Sequence, residues 1–130
     1  LLPNLPATHP PFQVDGNLGI TAAICEMLVQ SHAGEIALLP AVPAKWKSGS
    51  FSGLRARGGF EVGASWHQGG ITGASIHSLR GGPVSLRLPV ETDQIHCIDE
   101  AGGTRVTVSP DPGGVFRFST RVGSRYRVEW

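Results

Sequence analysis

The sequence predicts a mainly β protein, an antiparallel β-sandwich preceded by one α-helix. Residues 18 to 31 have the apolar spacing of a helix, whereas the chain beyond Glu35 breaks into short runs typical of β-strands. Glycine and proline clusters such as "RGGP" and "SPDPGG" separate these runs, and strands recurring every ~8–12 residues are typical of a sandwich. The 130 residues suffice for one domain with a real core.

The predicted helix, "LGITAAICEMLVQS", is apolar on most of its circumference. Only Glu26 and Gln30 form a polar strip, and a helix that is apolar nearly all round belongs inside a larger body. Asn17 is a predicted N-cap and Gly34 lies close to the predicted end. The chain has no initiator methionine and opens in a loop-like segment, so we expect it to be a fragment that a helical domain once preceded.

The β-like runs follow one another to the end of the chain. In "VSLRLPV" the alternation is clean, since Val84, Leu86 and Leu88 share one face and Ser85 and Arg87 the other. Before the sandwich, residues 40 to 50 are rich in proline and predict a hinge or wrap between the helical and β parts. The predicted strands lie in "EIALLP", "GLRAR", "FEVGASW", "ITGASIHSL", "VSLRLPV", "QIHCID", "TRVTVS", "VFRFST" and "YRVEW".

Composition argues against several classes of partner. A net charge of +1 with both signs intermixed gives no basic stripe, so nucleic acid is not an expected partner. No apolar run approaches the ~20 residues that span a bilayer, so no membrane association is expected. Cys25 and Cys97 are too few and too far apart for a disulfide framework or a zinc site, and we expect two buried thiols.

The segment "HPPFQVDGNLG", residues 9 to 19, looks least like scaffold. Asp15 precedes the predicted helix by two or three residues, where a negative charge is favourable by roughly 0.3–1 kcal/mol at an exposed site. Alternatively, a carboxylate on a short Gly-Asn turn after Pro10-Pro11 has a fixed direction and can act as a general base. The local pattern leaves both interpretations open, and no nearby second carboxylate completes an acid/base pair.

"HPPFQVDGNLG" followed by "EMLVQSHAGEIALLPAVPAKWKSGSFSGLRARGGFEV" resembles the C-terminal part of glycoside hydrolase family 95, inverting α-L-fucosidases of the 1,2-α-L-fucosidase type. The resemblance implies an (α/α)6 barrel that holds the active site, followed by a C-terminal β-domain. It implies no metal or organic cofactor, a fucosylated oligosaccharide as substrate, and the barrel of the same polypeptide as partner. A secreted or periplasmic location would fit the family, but the chain leaves the location unknown.

On the basis of this resemblance, we expect the chain to consist of three parts. Residues 1–34 are the loop and last helix of the barrel, residues 35–50 a connecting segment, and residues 51–130 the C-terminal β-sandwich. Asp15 matches the general base of the family, which works through asparagines that hold the attacking water. The general acid lies outside this chain, so the fragment alone is expected to be inactive.

Other residues carry weaker expectations. His9 is a candidate for binding a sugar hydroxyl or for loop packing, and Asn17 for touching the substrate or capping the helix. Arg55 and Arg57, two residues apart on one predicted strand, could bind an anionic ligand, although pairing with carboxylates of the barrel is favoured.

A rival class is a non-catalytic accessory or carbohydrate-binding module. Its possible signal is three tryptophans, Trp46, Trp66 and Trp130, since exposed aromatic faces stack on sugar rings, although core packing is the commoner fate of a large aromatic. The histidines beyond the opening segment lack metal-ligand spacing, so no metal site is expected. They are His32, His67, His77 and His96.

Overall fold

A computed structural model describes residues 14–130, which form one helix and eleven strands. The helix, α1, spans Val14–Leu28. The strands are β1 (Val29–Gln30), β2 (Ile36–Leu38), β3 (Ser48–Ala56), β4 (Phe60–His67), β5 (Gly70–Ser78), β6 (Gly82–Arg87), β7 (His96–Asp99), β8 (Thr104–Val106), β9 (Ser109–Asp111), β10 (Val115–Thr120) and β11 (Arg125–Glu129).

The strands form two sheets. The first has five strands in the order β1-β2-β6-β10-β9, and the second has six in the order β3-β4-β5-β11-β7-β8. All neighbouring pairs are antiparallel except β2 and β6, which are parallel. The predicted fold class, a β-sandwich preceded by a helix, is therefore confirmed.

The core lies between the two sheets and follows the alternation of their strands. In β10, Phe116 and Phe118 are buried whereas Arg117 is exposed. Phe118 of the first sheet meets Tyr126 of the second, with ring centroids 6.0 Å apart and planes inclined by 57°. Ring pairs at this distance and tilt add to the apolar burial. This contact ties the two sheets together across the core.

The helix begins and ends earlier than predicted. It spans Val14–Leu28 rather than 18 to 31, and the chain continues directly into β1. Hydrogen bonds from the backbone N–H groups of Leu39 and Ala41 satisfy the carbonyls of Leu28 (2.7 Å) and Met27 (3.2 Å). Because these partners come from a distant segment, the helix ends without a local stop signal. Gly34, near which the helix was predicted to end, lies between β1 and β2.

The sandwich also reaches further back than residue 51. Strands β1 and β2, residues 29–38, belong to the first sheet, and β3 begins at Ser48. Ile36 pairs with Leu86 of β6, so part of the expected connecting segment is a strand in the core. Only residues 39–47 connect the two sheets at this point.

Trp66 anchors the segment before β3. The indole is buried, and its Nε1 donates a hydrogen bond of 2.7 Å to the carbonyl of Trp46. Gly49 lies directly against this ring, since a Cβ at Gly49 would lie 2.7 Å from Cη2 of Trp66 and closer still to Cζ2. Glycine is therefore required at this close approach.

Both cysteines are free thiols, as expected. Cys97 is buried in β7, and burial raises the pKa of its thiol to about 12. Cys25 is only half-buried, which corrects the expectation of two buried thiols. Within the described residues, α1 is too short to cross a membrane.

Candidate functional site

Asp15 lies in the first turn of α1, which corrects the predicted position two or three residues before the helix. Its side chain is exposed, and no ion-pair partner for it occurs among residues 14–130. The unpaired N–H groups of a first helical turn make a negative charge there favourable. Asp15 is thus an accessible carboxylate at the N-terminal end of the helix.

Asn17 lies inside the helix rather than at its N-cap. It is half-buried, and its carbonyl accepts a hydrogen bond of 3.1 Å from Oγ1 of Thr21. At 3.6 residues per turn, Asn17 and Asp15 project about 200° apart around the axis. A ligand touched by both side chains would therefore have to lie over the N-terminal end of α1. His9, the third predicted site residue, lies outside the described residues.

The apolar surface of α1 is largely uncovered. Leu18 is 66% exposed, Val14 57% and Ile24 37%, and within the helix only Leu28 is buried. The predicted apolar circumference is therefore present, and the β-sandwich covers only its C-terminal end. Large apolar side chains grouped on one element in this way are typical of a surface that packs against another body.

Arg55 and Arg57 do not share a strand face. Arg55 lies in β3 and forms an ion pair of 3.0 Å with Glu61, so its partner is a carboxylate of its own sheet and not of a barrel. Glu61 also bonds His77 at 2.9 Å. The hydrogen bond from His77 and the charge of Arg55 lower the pKa of the Glu61 carboxyl. Arg57 lies beyond the end of β3, in the turn that leads to β4.

Arg57 lines a cavity that sequence reasoning missed. We call this space, of about 350 Å³, the junction cavity. It lies where the β1–β2 turn, the β3–β4 turn and the start of β6 meet, so its walls come from segments far apart in the sequence. Because no local spacing relates these segments, the sequence carried no signal for it. The lining residues are Ser31, His32, Gly34, Glu35, Ile36, Arg57, Gly58, Phe60, Pro83, Val84 and Ser85.

The tryptophans divide between core and surface. Trp66 is buried, as expected for a core aromatic, whereas Trp46 and Trp130 are 38% and 42% exposed. Trp46 lines an apolar cavity of about 210 Å³ together with the proline-rich segment before β3. Trp46 is therefore an exposed indole that lies at a cavity.

The histidines do not form a metal site within residues 14–130, where no cluster of metal-ligating side chains occurs. His67 bonds the hydroxyl of Ser48 at 2.8 Å, and His77 bonds Glu61. His32 lies 4.0 Å from Glu26, and His96 is exposed on β7. Two of the four are thus held in side-chain pairs across neighbouring strands.

Comparison with known proteins relates both parts of the chain to one family. Residues 30–128 match the family model described as glycoside hydrolase family 95, C-terminal domain. Residues 1–28 match the family model described as glycosyl hydrolase family 95 catalytic domain. The change from one model to the other coincides with the end of α1 at Leu28.

Curated relatives carry related names. The chain is 51% identical over 72 residues to alpha-L-fucosidase 2 of Arabidopsis thaliana, a match that covers 55% of the chain and 8% of the relative. It is 39% identical over 89 residues to probable alpha-fucosidase A of Aspergillus niger, a match that covers 58% of the chain and 11% of the relative. It is 40% identical over 70 residues to probable alpha-fucosidase A of Aspergillus oryzae, a match that covers 46% of the chain and 10% of the relative. The matches span about a tenth of the length of these relatives, and the chain belongs to glycoside hydrolase family 95.

Proposed function

We propose that the longer polypeptide to which this chain belongs is an inverting, exo-acting α-L-fucosidase. It would release terminal fucose from fucosylated oligosaccharides without a metal or organic cofactor. The support is the family match over both parts of the chain and the α-fucosidase names of three relatives. The proposal concerns the longer protein, because this chain covers only a small share of each relative.

Asp15 is the proposed general base, and its position carries the proposal. It lies within the segment that matches the catalytic domain, and it is an exposed carboxylate without an ion-pair partner among the described residues. A general base must reach a water molecule, and a carboxylate already engaged in a salt bridge would do so poorly. His9 and Asn17 are the proposed substrate-binding residues beside it.

The general acid is proposed to come from outside this chain. An inverting glycosidase separates its two carboxyl groups by ~6.5–9.5 Å to leave room for the attacking water. Glu35 accepts hydrogen bonds from Arg87, and Glu26 is exposed in the second half of α1, more than two turns from Asp15. Neither is placed to serve as the acid, so the 130-residue chain alone is expected to be inactive.

The helix is proposed to pack inside an (α/α)6 barrel formed by the rest of the catalytic domain. Its exposed apolar side chains, Leu18 above all, are the surface that such neighbouring helices would cover. The sheet begins at Val29, so we place the division between barrel and sandwich at the end of α1 and not at residues 34 to 51.

Replacing Asp15 by Asn in the longer polypeptide tests the proposal. Release of fucose from 2′-fucosyllactose should fall by a factor of at least about 100, because a positioned general base contributes typically 10²–10⁴-fold. Glu26→Gln is the matched control, since it changes a carboxylate of the same helix that has no proposed role. NMR of the first sugar formed should show the inverted anomer. Near-normal turnover of Asp15→Asn would contradict the role of general base and would mean that Asp15 acts only through its charge at the helix end.

A carbohydrate-binding accessory module is the second candidate, and the exposure of Trp46 beside a cavity favours it. In that case Asp15→Asn would leave turnover unchanged. Trp46→Ala would instead weaken binding of the chain to oligosaccharides. The two variants therefore separate the two functions.

A further inference from the structure

We propose that the junction cavity binds a carboxylate-bearing monosaccharide, a uronic acid, on the β-sandwich itself. The proposal is independent of the fucosidase activity, because no residue of the cavity belongs to the proposed catalytic machinery. It follows from an unpaired guanidinium, a neutralised carboxylate and an apolar floor that meet in one ligand-sized space.

The guanidinium of Arg57 supplies the recognition of a carboxylate. It has no side-chain partner among residues 14–130, whereas Arg55, two residues earlier, is paired with Glu61. The hydroxyl of Ser31 accepts a hydrogen bond of 3.0 Å from the backbone N–H of Arg57, which ties the β3–β4 turn to the end of β1. A guanidinium presents several N–H donors in a planar fork that matches a carboxylate bidentately.

The carboxylates near the cavity do not compete for Arg57. Glu35 lines the cavity, but its Oε1 accepts from Nε of Arg87 and its Oε2 accepts from Nη2 of Arg87 at 3.0 Å. Its negative charge is therefore compensated within the β-sandwich. Glu26, whose Oε2 lies 4.0 Å from Nδ1 of His32, does not line the cavity. The uncompensated charge at the cavity is positive.

The floor of the cavity is apolar and suits the ring of a sugar acid. Ile36, Phe60 and Val84 line it and are themselves buried. Ser85 also lines the cavity, and its hydroxyl offers a hydrogen-bonding partner for a ring hydroxyl. A volume of about 350 Å³ is at the low end of ligand pockets, ~300–1,000 Å³. This size indicates a single small ring.

NMR titration of the ¹⁵N-labelled 130-residue chain with D-glucuronate tests the proposal. We expect saturable shifts of amides around the junction cavity, including that of Arg57. Arg57→Gln should weaken binding by at least about tenfold, the effect of losing a charge-assisted hydrogen bond. Arg55→Gln is the matched control and should bind as the unmodified chain does. Ser85→Glu, which adds a negative charge inside the cavity, should abolish the shifts while the spectrum stays dispersed.

Two comparison ligands, one neutral sugar and one simple carboxylate, decide the chemical class. D-glucose should bind at least about tenfold more weakly, because it lacks the carboxylate, and acetate likewise, because it lacks the ring. Equal affinity of Arg57→Gln and Arg55→Gln, or shifts confined to other surfaces, would overturn the site. Acetate binding as tightly as D-glucuronate would overturn the assignment to a sugar.

Discussion

Asp99 and Arg121 form an ion pair whose carboxylate is buried and whose guanidinium is exposed. The Asp99 side chain retains 3% of its accessible surface and that of Arg121 75%. The carboxylate also accepts a hydrogen bond of 3.0 Å from the backbone N–H of Ala101. The pair links the end of β7 to the turn before β11, where the backbone N–H of Arg121 donates to the hydroxyl of Tyr126.

This pair predicts loss of stability in acid. The hydrogen bond from Arg121 and then that from Ala101 hold the pKa of Asp99 below its ordinary value. Glu61, bonded to His77, is shifted in the same direction. Because the carboxyl pKa is lower in the folded state, the unfolded chain binds protons at a higher pH than the folded chain does. The ion pair therefore stabilises the fold at neutral pH, and this stabilisation is lost as the pH drops below about 4. Urea denaturation between pH 7 and pH 3 measures this loss.

Asp99→Asn should lower the free energy of unfolding at pH 7. It should also reduce the fall of this free energy between pH 7 and pH 3, because one of the carboxylates that becomes protonated is gone. Asp111→Asn is the control, since its partner Arg117 is 2.7 Å away on the surface and exposed pairs contribute little. Equal effects of the two variants would contradict the role assigned to burial at Asp99.

Deletion of residues 1–26 should leave a folded sandwich. The cut retains Met27 and Leu28, whose carbonyls accept the hydrogen bonds from residues 39 and 41, and none of residues 14–26 is buried. Deletion of residues 1–32 should be clearly less stable, because it also removes β1 and the buried Val29. Loss of a buried aliphatic side chain of this size costs about 1–3 kcal/mol. Circular dichroism and thermal unfolding of both deletions measure the difference.

The uncovered helix predicts self-association of the isolated chain. Leu18→Glu should shift the sedimentation coefficient towards that of a monomer without changing thermal stability, since Leu18 is 66% exposed. Val122→Glu alters an equally exposed apolar residue in the turn between β10 and β11 and should leave association unchanged. A monomeric unmodified chain with a strongly protected helix in hydrogen exchange would show that the helix needs no further partner.

The approach of Gly49 to Trp66 predicts a steric effect. Gly49→Ala would drive a Cβ into the indole ring, and overpacking of this kind costs typically about 1–3 kcal/mol. Gly70→Ala is the control in β5 of the same sheet, because the nearest atom to its Cβ would lie at an ordinary 3.7 Å. Urea denaturation compares the two, and an equally small loss in both would mean that the ring moves freely.

The sandwich was predictable wherever a strand alternates cleanly. Val84 and Leu86 of β6, and Leu88 directly after it, are buried as the alternating pattern required. β1 was not predictable, because Val29–Gln30 is a two-residue strand inside a continuous helical pattern. Only pairing with Ala37 and Leu38 turns these residues into a strand, and such pairing leaves no trace in local spacing.

The candidate site was predictable only in part, because its geometry also depends on contacts between segments far apart in the sequence. The motif around Asp15 marked the residue, yet Gly16 and Asn17 suggested a turn where the chain is helical. The junction cavity was not predictable, because Ser31, Arg57 and Ser85 meet only through the sheet order. Local patterns carry propensity and alternation, whereas a cavity depends on which strands become neighbours.

The direct passage from α1 into β1 makes the helix a lever fixed at one end by the sandwich. From Leu28 to Asp15 the lever arm is about 20 Å, at 1.5 Å per residue. A tilt of about 3° at Leu28 would displace Asp15 by about 1 Å, a misplacement large enough to slow a catalysed reaction by about 100-fold. If Asp15 is the base, a substitution that moves the sandwich residues packed around Leu28 would lower turnover although the substituted residue does not contact the sugar.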